Sequence, residues 1–135
     1  MTAAETTQLQ QAAEDAAHHS YAPYSHFHVG AAILLETGET VTGCNVENAS
    51  YRLTTCAEQT AIARAVAQYG PKIRLRAVAV ANLAKVACQP CGACRQTILE
   101  FAAPDATIFF PAENGQTASC TLTELLPAAF VLKDR

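Results

Sequence analysis

The sequence predicts an α/β protein in which one sheet of about five strands is covered by helices. Three observations carry this expectation. Segments with helical and strand-like patterns follow one another as helix, hairpin, helix, strand, helix, strand, strand, an order that favours one sheet with helices packed on it. The chain has 135 residues, enough for a single domain spanning 1–135 with a real core. Half of its residues are apolar and 16% are charged, a balance typical of soluble globular chains.

Thr2 to about Ser20 reads as a helix, with Thr2 and Glu5 in capping-box spacing and Leu9, Ala12, Ala13, Ala16 and Ala17 along one side. The turn-prone APYS, Ala22 to Ser25, follows. Phe27 to Leu35 and Glu39 to Val46 read as strands joined around Thr37 and Gly38 as a hairpin. A loop, ENASYRLTT, leads to a helix from near Cys56 to about Tyr69, stopped by Gly70-Pro71. Thr55 and Glu58 have the spacing of its N-terminal capping box. Leu75 to Asn82 is a buried-strand candidate, and a helix is expected from near Cys91, just after Pro90, to about Phe101. Ala106 to Phe110 and Ala118 to Cys120 are short strand candidates. Thr121 and Glu124 then cap a last helical turn, interrupted by Pro127.

The formal net charge is −3 and no run of lysine or arginine occurs, which argues against a nucleic-acid-binding surface. The N-terminal stretch lacks a basic region followed by an apolar one, and the longest apolar runs are strand-sized. A cytoplasmic protein without membrane attachment is therefore expected. Cys88, Cys91 and Cys94 fall together in CQPCGAC, a spacing that in a cytosolic chain suggests metal or redox chemistry.

Cys91 and Cys94 can point to one spot from a first helical turn, and Cys56 starts another helix. Helix N-termini favour anions and lower thiol pKa values. Three thiolates on Zn²⁺ leave a fourth tetrahedral position open, as catalytic sites require. A carboxylate at the helix end, Glu58, could then move protons to and from water and substrate. Other readings stand beside this one. Glu58 alone is most simply a cap, Cys91-x-x-Cys94 alone is equally a structural zinc or redox pair, and adding Cys88 gives a closed four-sulfur site that would staple a non-enzymatic binding module. A bacterial iron–sulfur spacing fails because position 98 is Ile98. The combination of Cys56-Ala57-Glu58 with Pro90-Cys91-Gly92-Ala93-Cys94 is much more specific than either part, and has the pattern of zinc deaminases.

The chain resembles the small homotetrameric cytidine deaminases of pyrimidine salvage. The resemblance runs through YAPYSHFHVGAAI (Tyr21 to Ile33), GCNVENASY (Gly43 to Tyr51), TCAEQTAI (Thr55 to Ile62), PCGACRQ (Pro90 to Gln96) and ELLPAAF (Glu124 to Phe130). It implies a three-layer fold with a mixed sheet, one Zn²⁺ per subunit on Cys56, Cys91 and Cys94, and Glu58 as proton shuttle. It further implies a nucleoside substrate, with Asn45 and Glu47 on the ribose hydroxyls and Phe27 against the pyrimidine. Tyr51 and the Ala57 amide are secondary contacts, and Phe130 reaches a neighbouring subunit's site in a homotetramer. The implied reaction is hydrolytic deamination of cytidine and 2′-deoxycytidine, with a blasticidin-type nucleoside deaminase as the nearest rival.

The departure from the family pattern is Gln59, where this three-cysteine class usually carries arginine. Glutamine can donate hydrogen bonds but brings no charge to offset three thiolates. The helix N-termini, with Arg95 helping, are expected to supply the missing compensation.

Overall fold

The structure, a computed structural model, describes residues 1–132; the last three residues of the expected domain lie outside the described part. Its helices are α1 (Ala3–Ala17), α2 (Ala57–Tyr69), α3 (Gly92–Phe101) and α4 (Leu122–Leu125). Its strands are β1 (Val29–Leu35), β2 (Thr40–Cys44), β3 (Leu75–Asn82), β4 (Ala102–Pro111) and β5 (Thr117–Thr121). They form one sheet in the order β2-β1-β3-β4-β5, in which β3 and β4 are parallel and every other pair is antiparallel. The parallel pair follows from its connection, since α3 is the crossover that carries the chain back to the same sheet end.

Alternation along the strands sorts side chains between two helical layers. One face presents Ala32, Ala77 and Ala79 to Leu9 and Ala13 of α1. The other presents Ile33, Val78, Val80, Ile108 and Phe110 to Ala61 and Ala65 of α2, Ile98 of α3 and Leu122 of α4. Two glycines set how closely the helices lie. A Cβ on Gly30 would stand 1.9 Å from the Ala13 carbonyl oxygen, and one on Gly43 would stand 2.4 Å from the Ala61 nitrogen. Only a residue without a side chain lets α1 and α2 settle directly on the strands there. No helix among the described residues is long and apolar enough to cross a membrane.

Element boundaries differ from expectation for identifiable reasons. α1 stops at Ala17 instead of Ser20, because Tyr21 is drawn into a bridge with Val46. β1 starts at Val29 and not Phe27: the Asn45 side chain takes the Val29 N–H and the Phe27 carbonyl, replacing a strand neighbour. β2 ends at Cys44 instead of Val46, as Val46 exchanges hydrogen bonds with Thr55. β4 begins four residues early through an added pairing of Ala102 with Leu75, followed by a register shift. β3 spans Leu75–Asn82 as expected, and the capping boxes of α1 (Thr2 and Glu5) and α4 (Thr121 and Glu124) are both formed. That of α2 is displaced by one residue. Thr55 is held extended by Val46, so Cys56 becomes the N-cap and Gln59, not Glu58, closes the box.

Candidate metal centre and active site

The N-termini of α2 and α3 converge. Helix α3 starts beyond the carboxyl end of β3, the position where α/β sheets commonly build their sites. Cys56 and Cys91 are the N-caps of α2 and α3, and Cys94 lies in the first turn of α3. The three sulfur atoms all lie within 4.8 Å of one another. Tetrahedral zinc with bonds of ~2.3 Å sets sulfur atoms about 3.8 Å apart, so a contraction of about 1 Å or less would seat the ion. Without a metal these thiols share protons. Cys94 donates to Cys56, which brings the Cys56 thiol down to about 7 against the opposing effect of its burial. Cys94 is pushed up, first by that same hydrogen bond and then by burial. Three crowded sulfurs that resist simultaneous ionisation are a donor set that a dication suits, because metal binding displaces the protons.

The sulfur of Cys88 lies outside this set, and its backbone N–H donates to the Pro111 carbonyl at 3.0 Å. The closed four-sulfur arrangement is thus not formed among the described residues. Three ligands leave a position open.

Glu58 is 4% exposed. Burial pushes its carboxyl above the usual range, with a hydrogen bond to Cys94 opposing the shift. Residues two apart within a helix face different sides, but Cys56 is an extended cap residue outside the helix, so that restriction does not apply to Cys56 and Glu58. Release from capping duty leaves the Glu58 side chain beside the thiol cluster.

Gln59 uses its side-chain carbonyl oxygen to accept the Cys56 N–H at 3.1 Å. Arg95 donates from Nε to the Pro90 carbonyl and from a terminal nitrogen to the Leu125 carbonyl, both at 2.7 Å. Its cation is therefore tied to two carbonyl oxygens. The positive ends of α2 and α3 stand directly at the sulfurs.

Asn45 and Glu47 follow directly on the end of β2. Asn45 is buried, with its side chain bridging Phe27 and Val29. Glu47 accepts from the backbone N–H groups of Tyr24 and Ser25 and from the Ser25 hydroxyl. These bonds, the hydroxyl's first, hold its carboxyl below the ordinary range. The Val46–Thr55 bridge fixes this segment one residue before Cys56. Tyr51 is 77% exposed on a short 3-10 turn and, with Tyr24, Ser25, Glu47 and Thr54, lines a cleft of about 310 Å³. Ala57 is buried, Phe27 is half-buried, and Phe130 is 67% exposed with its carbonyl accepting from Gln96 at 3.0 Å. Ser25 was not singled out by sequence reasoning. The only signal was its place in a turn-prone segment, which does not reveal a partner 22 residues away.

A three-cysteine cluster at two helix ends, with a buried carboxylate beside it, defines a zinc-dependent hydrolytic deaminase by class. The chain belongs to the cytidine and deoxycytidylate deaminase family, whose zinc-binding region matches residues 4–110. It is 42% identical over 115 residues to a cytidine deaminase of Halalkalibacterium halodurans, covering 85% of this chain and 86% of that one. A solved cytidine deaminase structure from Burkholderia pseudomallei superposes with a TM-score of 0.84 at 41% identity, covering 96% of this chain and all of the other. A blasticidin-S deaminase of Bacillus cereus is 36% identical over 110 residues, covering 76% of each chain.

Proposed function

We propose that the chain hydrolyses cytidine and 2′-deoxycytidine to uridine and 2′-deoxyuridine, releasing ammonia, as a step of pyrimidine salvage. The observation that carries this reading is the buried Glu58 carboxylate beside three clustered sulfurs with an open fourth position. Cys56, Cys91 and Cys94 hold the zinc. When bound, the zinc acidifies water so that a nucleophile is available at neutral pH.

Glu58 accepts a proton from the attacking water and delivers it to N3 of the cytosine ring. Protonation there draws electrons from C4, which the water oxygen attacks. Glu58 then takes the remaining proton from the new C4 hydroxyl and passes it to the amino group, so that the C4–N bond breaks, the C4 carbonyl forms and ammonia leaves. Burial supports this role, because a carboxyl group raised above its usual range holds a proton more readily than an exposed one does. Phe27 packs on the pyrimidine, Asn45 and Glu47 bind the ribose hydroxyls, and the Ala57 amide and Tyr51 make further contacts.

Phe130 serves the site of a neighbouring subunit in a homotetramer. The exposure of Tyr51, Leu53, Phe130, Val131 and Leu132 supports that assembly, since such apolar groups are better covered by another subunit. Six unpaired cysteines suit a reducing cytoplasm. Residues 1–135 act as one domain.

The test is substrate-dependent ammonia release with zinc stoichiometry measured on the same sample, using cytidine, deoxycytidine and blasticidin S. One zinc per chain without turnover of cytidine or deoxycytidine refutes the reading. Turnover confined to blasticidin S replaces it with the antibiotic-directed one.

A further inference from the structure

We propose that Ser25 is a positioning residue that couples Glu47 to Phe27, locking together the ribose and base contacts of one loop. The inference rests on the deaminase reading for what Glu47 and Phe27 touch, but the lock itself belongs to the free protein. The Ser25 hydroxyl donates to one oxygen of Glu47 and accepts the Phe27 N–H at 3.0 Å. The other Glu47 oxygen accepts the N–H groups of Tyr24 at 3.0 Å and Ser25 at 3.1 Å. Glu47 is itself anchored, since its N–H donates to the Tyr21 carbonyl at 2.8 Å, and the residue before it is bridged to Thr55.

Between the two ends of this relay sits His26, a residue with a Cβ held at a φ of 58°. The left-handed region is unfavourable for such a residue, so surrounding contacts must hold it there. Its own N–H donates to Ala22, which closes the turn from one side only. Ser25 closes it from the other. A hydroxyl is the group that can donate to a carboxylate and accept from an amide at once; alanine does neither.

Removing the hydroxyl releases one Glu47 oxygen and strands the Phe27 amide, so both ligand contacts loosen while the thiol cluster is untouched. Ser25→Ala is expected to raise KM for cytidine about tenfold, the value of one charge-assisted hydrogen bond, with kcat and zinc content essentially unchanged. Ser25→Thr, which keeps the hydroxyl, restores KM. In the free protein, hydrogen exchange at the Phe27 amide quickens about tenfold in Ser25→Ala and returns to the wild-type rate in Ser25→Thr.

A wild-type KM in Ser25→Ala overturns the proposal, as does a parallel loss of kcat that threonine does not rescue. Unchanged exchange at Phe27 overturns it as well. A zinc-loaded wild-type protein that turns over no nucleoside refutes the deaminase reading instead, and the exchange rates still decide the role of Ser25.

Discussion

Replacing Gly43 with alanine puts a methyl carbon 2.4 Å from the Ala61 nitrogen and 2.7 Å from the Ala57 carbonyl oxygen. Both obstacles are α2 backbone, so no side-chain rotation relieves them. Ordinary contact begins at 3.4 Å, and recovering it from 2.4 Å moves this part of α2 away from β2 by about 1 Å (3.4 − 2.4). Overpacking of this kind costs ~1–3 kcal/mol. The same turn carries Cys56 and Glu58, and a displacement of about 1 Å at a reacting group can cost ~10²-fold in rate. Gly43→Ala should therefore lose stability in urea unfolding, bind zinc more weakly in competition with a chelator, and show kcat/KM reduced by about two orders of magnitude. Gly30→Ala makes an even closer clash, at 1.9 Å, but against α1, which carries none of the assigned site residues. Measured on its folded fraction, it should lose stability while keeping most of its catalytic efficiency and zinc affinity. Wild-type kcat/KM and zinc binding in Gly43→Ala refute the reasoning, as does an equal catalytic loss in folded Gly30→Ala.

Glu58→Ala should retain one zinc per chain and lose ~10²–10⁴-fold or more in kcat, measured by ammonia release. Cys91→Ala should release the metal while Cys88→Ala keeps it, read by metal analysis after dialysis; the reverse result would restore the four-sulfur site. Gln59→Arg exchanges a cap acceptor for a cation, so stability should fall by ~1 kcal/mol while zinc affinity and the pH–rate profile change. Unchanged affinity and profile would show that the helix ends do not carry the charge compensation.

Patterns that depend on local spacing were legible in the sequence. Thr2 with Glu5 and Thr121 with Glu124 form the capping boxes their spacing implies, and Leu75 to Asn82 forms β3 with the expected ends. The thiols of Cys56, Cys91 and Cys94 meet where the N-termini of α2 and α3 converge, as the combined motif implied. What was not legible depends on partners distant in sequence. Nothing local reveals that Val46 would hold Thr55 extended and so shift the cap of α2 to Cys56 and Gln59. Likewise, the Asn45 side chain ends β1 at Val29 by acting as a strand neighbour, which no periodicity can indicate. Gly30 and Gly43 look like ordinary strand glycines until the helices above them are in place.

Arg95 and Gln96, side by side on the helix that bears two of the three sulfurs, hold the carbonyl groups of Leu125 and Phe130. The C-terminal segment is thus indexed to the first turns of α3. Two side-chain-to-carbonyl hydrogen bonds fix the path of that segment over the helix, so its placement depends on α3 and not on the segment's own sequence alone. Under the proposed homotetramer, the backbone of the residue offered to a neighbouring site is held by the helix that carries two of the proposed zinc ligands.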